Sequence, residues 1–290
     1  VTDLIEPPRI RTLKIKYWNK LEEDLMDRFW KVDGITMDAR LSQIAENINK
    51  QEGCMKYLVQ YKMERRVFVN GKRPVLVGVA DLIDLDNQRV TEWKRTNQRK
   101  IERGDFTSWW KQLGIYAYLY NSQESSLRAA LGCSEIKKLS LSLFIRDFRP
   151  GFSPYSVKFP YIELHSGIQG LSTEQFIKER FIDHLENPER ECLAEEKWTT
   201  GDQYAVLKRG NLRALRLCDS EKEAIKFLNS KKIKDEKNSS KYSIEVRPGT
   251  SKRCDKYCIV RNFCEFSPSY KPALLPDSDK QNKSQCPTLP

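Results

Sequence analysis

Apolar positions recur every three to four residues in the first part of the chain and every second residue further on. Leu21, Leu25 and Phe29 in NKLEEDLMDRFWKV fall four apart, and Leu41, Ile44, Ala45 and Ile48 in ARLSQIAENINK continue the spacing. Each set is one stripe of an amphipathic helix, expected to face a core. From Tyr57 the period shortens. YLVQYKMERRVFVNGKRPVLVGVADLIDLDNQRVTEWKRT reads as β-rich segments broken at Asn70-Gly71 and Asp86-Asn87, both good turn pairs, so a three-stranded meander is expected. DFTSWWKQLGIYAYLYN then reads as a helix capped by Thr107 or Ser108 and ending near Asn121. KKLSLSLFIRDF and YSVKFPYIEL read as strands, and STEQFIKERFIDHLENP as a helix stopped before Pro188. Helices before, between and after strands predict a mixed α/β domain.

Residues 197–253 have another character. DQYAVLKRGNLRALRL predicts a hairpin turning at Gly210-Asn211, SEKEAIKFLNS a helix with Ser220 and Glu223 at capping-box spacing, and KYSIEVR a strand. This ββαβ stretch holds 15 Lys and Arg against 7 Asp and Glu, so it carries +8 of the chain's net +11. Such a balance favours a polyanionic partner, nucleic acid before an acidic membrane. Lys208, Arg209, Arg213 and Arg216 flank the hairpin turn, and Lys231, Lys232 and Lys234 follow the helix. They are the candidate DNA-backbone contacts, with a solvated surface as the competing reading. No run of 18 apolar residues exists, which excludes a single-helix membrane span. The opening VTDLIEPPRIRTLKIKYW has no basic-then-apolar leader pattern, and a cytoplasmic setting is the expectation. Residues 268–290, rich in Pro and Ser, are expected to be disordered.

Candidate chemistry concentrates in GVADLIDLDNQRVTEWKRT. Side chains alternate along a strand, so Glu92 and Lys94 point one way and Trp93 the other. The turn at Asp86-Asn87 brings Asp81 near them. Two close carboxylates repel, and a hard divalent cation such as Mg²⁺ or Mn²⁺ relieves that conflict while leaving room for water and phosphate. Lys94 beside such a centre is placed to orient or deprotonate a water.

Gly78-Val79-Ala80-Asp81, a turn, then Glu92-Trp93-Lys94 resembles the GxxD…(D/E)xK core of the PD-(D/E)XK nuclease superfamily. Gln112 and Tyr116 on the following helix match the QxxxY motif of its RecB-like branch. The resemblance spans roughly residues 40–185 at the level of element order. It implies a restriction-endonuclease-like α/β fold, Mg²⁺- or Mn²⁺-dependent hydrolysis of DNA, and site roles for Asp81, Glu92, Lys94, Gln112 and Tyr116. An exonuclease in recombination, repair or phage-type DNA processing is the reading it favours. A recombination or replication protein as partner, and a virus-encoded origin, are compatible with it. A site- or structure-specific endonuclease and a catalytically silent DNA-binding scaffold on the same fold are the alternatives. Relatives often add an acidic metal ligand from an upstream helix; Glu46 is the candidate here, with Glu64 a second. Trp109, Tyr116 and Tyr120 also read as a plain core stripe. His165 and His184 sit in no ligand spacing.

Eight Cys without a secretory leader point to reduced thiols or metal ligands rather than disulfides. SKRCDKYCIVRNFCEF sets Cys254, Cys258 and Cys264 close together, enough thiolate for a soft metal. CRISPR-adaptation exonucleases and AddB-type helicase–nuclease subunits have a similar C-terminal triplet, completed by a cysteine far upstream into a [4Fe–4S] staple. This chain departs by its CxxxC spacing and by having no Cys before Cys54, the N-terminal candidate for the fourth ligand. Zinc and plain thiols are the other readings. The resulting organisation is an N-terminal helical segment (1–55), a nuclease-like core (56–196), a small basic ββαβ insertion (197–253), a cysteine cluster (254–267) and a tail (268–290).

Overall fold

The computed structural model describes residues 1–22, 25–104, 106–145, 161–165, 172–211, 213–230 and 241–272. The chain divides into two compact units, Val1–Pro8 with Glu22–Pro188, and Arg9–Leu21 with Glu189–Pro290. These units cut across the segments read from the sequence: the N-terminal 55 residues are shared between them.

The first unit begins with α1 (Thr2–Ile5), and α2 (Pro8–Lys16) carries the chain into the second. α3 (Leu25–Glu52) then runs as one long helix where two stripes were expected. Its inward side carries Met37, Asp38, Leu41, Ala45 and Ile48, all at least partly buried. Leu25 and Phe29 are 81% and 57% exposed and Ile44 is also exposed, so the expected core role of these three is corrected. Leu25 and Phe29 sit on the other side of the cylinder from Leu41 and Ala45, and Ile44 lies at the edge of their stripe.

The expected meander is present as β1 (Tyr57–Arg66), β2 (Val75–Asp84) and β3 (Arg89–Thr96). Asn70 and Gly71 take left-handed backbone (φ 45° and 75°), the geometry of a tight primed turn, between the bridged residues Val69 and Lys72. α4 (Gln98–Arg103) and α5 (Thr107–Asn121) follow, then α6 (Ser125–Ala130) and β4 (Lys138–Ile145). Phe106 rather than Thr107 or Ser108 occupies the cap position of α5, with no side-chain cap bond. β4 pairs parallel with β3, and β5 (Tyr161–His165) closes a mixed five-stranded sheet of order β1-β2-β3-β4-β5. The remaining parts of those two predicted strands, 146–148 and 155–160, lie outside the described residues. α7 (Thr173–Glu186) ends before Pro188 and starts on a Ser172/Gln175 capping box.

Over the first six residues of β2 the buried positions are Leu76, Gly78 and Ala80 while Val75, Val77 and Val79 are exposed. A β-carbon on Gly78 would stand 2.8 Å from Leu119 Cδ1 and 2.9 Å from Tyr116 Cε1. The missing side chain therefore lets α5 settle onto the sheet, where Leu113, Leu119 and Tyr120 join Ile83 and Leu141 in the core.

The second unit holds the predicted ββαβ as β6 (Gln203–Lys208), β7 (Arg216–Cys218), α8 (Glu221–Ser230) and β8 (Tyr242–Arg247), in a sheet of order β7-β6-β8. Glu223 N–H donates to Ser220 Oγ at 3.3 Å, the first half of the predicted box. A separate apolar cluster packs Ile10, Leu13 and Tyr17 with Cys258, Val260, Phe263 and Cys264, the Tyr17 and Phe263 rings stacking 4.5 Å apart. Among the described residues no helix is long and apolar enough to cross a membrane.

Candidate active site

The β2–β3 ladder runs through Asp84↔Arg89, Ile83↔Val90 and Leu82↔Thr91 and goes no further. Beyond it a side chain replaces the backbone partner: Asp81 Oδ2 accepts from Trp93 N–H at 2.8 Å. The strands part there, and the parting holds the polar cluster. Glu92 projects into it at only 2% exposure. Lys94 Nζ donates to Glu92 Oε1, and Gln112 Nε2 donates to the same oxygen at 2.9 Å. Gln112 Nε2 also lies 2.8 Å from the Tyr116 hydroxyl, one helical turn along α5. The five residues that carry the motif resemblance are therefore brought together. Tyr116 is buried among core residues, so its ring is part of the packing and its hydroxyl meets Gln112 rather than open solvent.

A third carboxylate joins from α3. Asp38 lies within electrostatic reach of Asp81 and Lys94. Glu46, the expected upstream ligand, is exposed and shares no part of this cluster, and Glu64 is exposed beside Lys62 at 3.9 Å. Asp38 had a legible signal: it continues the Leu41/Ala45 stripe one turn toward the N-terminus, so the inner stripe of the helix ends in a carboxylate. Five residues earlier, Asp33 pairs with Arg95 Nε at 2.8 Å, fastening α3 beside β3.

Three carboxylates share one ammonium in a desolvated place, and their proton affinities show the strain. Burial, opposed by Lys94 and reinforced by Asp81, pushes Glu92 up to about 7. Burial and the nearby Asp81 push Asp38 up to about 6, and burial also raises Asp81. Glu92 Oε2 is buried with no hydrogen-bond partner. An acceptor in that state is costly unless something positive meets it. Hard oxygen donors, excess negative charge and an unmatched oxygen fit a divalent cation held by Asp81 and Glu92, with Asp38 alongside. As they stand, no three His, Cys, Asp or Glu side chains among the described residues converge as a finished ligand set. Lys94 and Trp93 N–H occupy one oxygen of each principal carboxylate.

The second unit gathers the cysteines. Cys254, Cys258 and Cys264 line a small cavity together with Cys192, Arg9 and Glu196. Cys54 is exposed, belongs to the first unit and does not line it. The fourth cysteine lining that cavity is Cys192 rather than Cys54; it stands alone in REC, with no local spacing to mark it. Burial and the neighbouring Glu196 push the Cys192 thiol up to about 12, and burial raises Cys254 and Cys258 as well. Arg9 is buried here, donating from Nε to Cys264 Sγ at 3.4 Å and from Nη2 to Glu265 Oε1 at 3.0 Å. A four-sulfur donor set fits a thiophilic metal. The cavity volume is about 20 Å³, room for roughly one water. Among the described residues no three thiols stand close enough together to hold a metal, so binding either a single ion or a four-iron cluster requires them to rearrange.

Of the basic candidates, Lys208, Arg209 and Arg213 are exposed at the β6–β7 turn. Arg216 lies over the Phe227 ring at 5.1 Å, which holds its guanidinium against α8. Lys231, Lys232 and Lys234 lie outside the described residues, as do residues 273–290 of the tail.

No family model matches the chain, and none of the curated proteins matches it. Among solved structures it is similar to SSO0001, known from a crystal structure, at 18% identity over 68% of this chain and 79% of that one, with a TM-score of 0.45. A likeness of that size carries no weight in the functional reading.

Proposed function

We propose that the chain is a Mg²⁺- or Mn²⁺-dependent deoxyribonuclease on a restriction-endonuclease-like fold, acting as an exonuclease of the RecB-like kind. The observation that carries this reading is the buried, unpartnered Glu92 Oε2 in a cluster with Asp81, Asp38 and a single lysine. Asp81 and Glu92 hold the cation, and Asp38 supplies further negative charge from α3. When bound, the cation supplies charge opposite the scissile phosphate and a more acidic water.

Each protein group then has a defined task. Gln112 fixes one Glu92 oxygen so that the other faces the cation, and Tyr116 fixes Gln112. Lys94, the one cation of the cluster, orients the attacking water and offsets charge that grows on the phosphate. The exposed Lys208, Arg209 and Arg213 attract the DNA backbone without reading bases. Drawn together, the four thiols of the second unit would hold a thiophilic metal in a structural role. The resemblance implies an iron–sulfur cluster; the small cavity favours a single zinc ion.

The test is degradation of end-labelled linear DNA and of a covalently closed circle, with Mg²⁺, Mn²⁺ or EDTA, by wild type and Lys94→Ala. Release of nucleotides from linear DNA alone, abolished by EDTA and by the substitution, is the expected outcome. Cleavage of the circle points to the endonuclease alternative, and binding without cleavage to the silent scaffold.

A further inference from the structure

We infer that Gln60 is a positioning residue that holds the Asp81 carboxylate in its ligand orientation, an inference that rests on the cation-site reading above. Gln60 lies inside β1, yet its backbone is left-handed, with φ 47°. The other non-glycine residues with positive φ among those described, Asn70, Gln88 and Trp198, sit in turns. An unbranched side chain seldom adopts that backbone inside a strand, and such residues concentrate where a site demands them.

Register shows what the distortion serves. β1 and β2 pair continuously from Tyr57↔Asp84 to Arg66↔Val75 except at one place, between Val59↔Leu82 and Tyr61↔Ala80. The skipped residue of β2 is Asp81, and the skipped residue of β1 is Gln60. Instead of bridging through backbone, Gln60 has its side chain near enough to the Asp81 carboxylate to favour its charged form. On the opposite flank the same carboxylate takes the Trp93 N–H at 2.8 Å. Asp81 is thus braced from β1 and from β3, while Asp38 of α3 and Glu92 and Lys94 of β3 supply the charges that face it. A neutral amide donor steadies a carboxylate there without neutralising it, as an added lysine would.

Gln60→Gly separates this role from a merely structural one. Glycine accepts positive φ freely but has no amide, so the two effects oppose each other. Thermal unfolding of the metal-free full-length variant should rise by about 2–4 °C. Mn²⁺ affinity, measured by calorimetry or by the free Mn²⁺ electron paramagnetic resonance signal, should fall roughly tenfold, the usual effect of removing a group that orients a ligand. Half-maximal cleavage should then need about tenfold more Mn²⁺, with kcat at saturating Mn²⁺ close to wild type. Gln60→Asn keeps an amide and tolerates left-handed backbone, and should recover part of the affinity; it serves as the reporter if the glycine variant does not fold. Wild-type Mn²⁺ affinity in both variants overturns the inference and leaves the cation site standing. Failure of wild type to bind Mn²⁺ overturns both.

Discussion

The carboxylate cluster of the first unit and the thiol cavity of the second are both buried groups of ionisable side chains, but they are finished to different degrees. The thiols come as four soft donors, with Arg9 donating to Cys264 and Arg253 beside them. The carboxylates come with one lysine and an oxygen that meets nothing. Metal sites that support a fold are closed by protein ligands, whereas sites that do chemistry keep a position open. The supporting backbone differs in the same sense. Asp81, Glu92 and Gln112 hang from strands and a long helix whose register fixes them. The thiols hang from short turns such as Arg253–Tyr257 and Arg261–Phe263. The first region is a frame of strands and helices around a gap; the second is a set of loops that carry four soft donors.

The sharpest way to break this contrast is to remove a carboxylate. Asp81→Ala or Glu92→Ala should lower cleavage by at least about a thousandfold with DNA affinity nearly unchanged, because the cation is needed for chemistry rather than for phosphate attraction. Lys94→Ala should cost about a hundredfold, with little recovery in Lys94→Arg, whose guanidinium differs in shape and does not give up its proton. End-labelled DNA and filter binding measure both; full activity in either carboxylate variant removes the assignment.

The thiol side is tested by exchange of partners. Cys192→Ser should lose bound iron or zinc and lower the unfolding temperature by several degrees, while Cys54→Ser leaves both unchanged. Elemental analysis with thermal unfolding decides; the reverse pattern would restore Cys54 as the ligand.

A smaller effect follows from pH. Asp38 and Glu92 have folded proton affinities above the ordinary carboxylate range, at about 6 and about 7. Groups raised in the folded state favour it below their unfolded values, and that contribution is lost as pH rises through the folded ones. The metal-free protein should therefore lose stability between about pH 4 and pH 7, and Mn²⁺ should restore it at the upper end. Unfolding temperature against pH, with Mn²⁺ or EDTA, measures this; a curve indifferent to Mn²⁺ at pH 8 would contradict it.

The mildest change concerns the basic turn. Gln at Lys208, Arg209, Arg213 and Arg216 should weaken DNA binding and flatten its dependence on salt, by up to about 0.9 in the logarithmic slope for each phosphate left without its cation. Turnover at saturating DNA should hold. Arg216, held over Phe227, should contribute least of the four. An unchanged salt slope makes the surface a solvated one.

Local patterns made much of the first unit legible. Turn pairs and alternation located β1 to β3, and with them Asp81, Glu92 and Lys94, because neighbours in sequence there are neighbours across a hairpin. Contacts between distant elements were less legible. Leu25 and Phe29 have the spacing of a buried stripe, but nothing local says that the start of α3 presents them to solvent. Asp38 is hard to read because a carboxylate at the end of an apolar stripe looks like the point where burial stops. Cys192 is harder still because its companions lie beyond the whole ββαβ stretch, and closeness of that kind leaves no spacing to read.

The route of the chain has its own consequence. Arg9 and Cys264 touch although 255 positions separate them, and Ile10, Leu13 and Tyr17 are buried largely by Cys258, Val260, Phe263 and Cys264. Closing so long a loop is slow to repay its entropy. During synthesis α2 therefore remains without most of its apolar partners until residues 258–264 have been made. A chain released after Pro188 would keep every residue of the carboxylate cluster yet expose that helix permanently. Such a truncation should aggregate, and excising residues 9–21 along with residues 189–290 is the cleaner way to isolate the first unit.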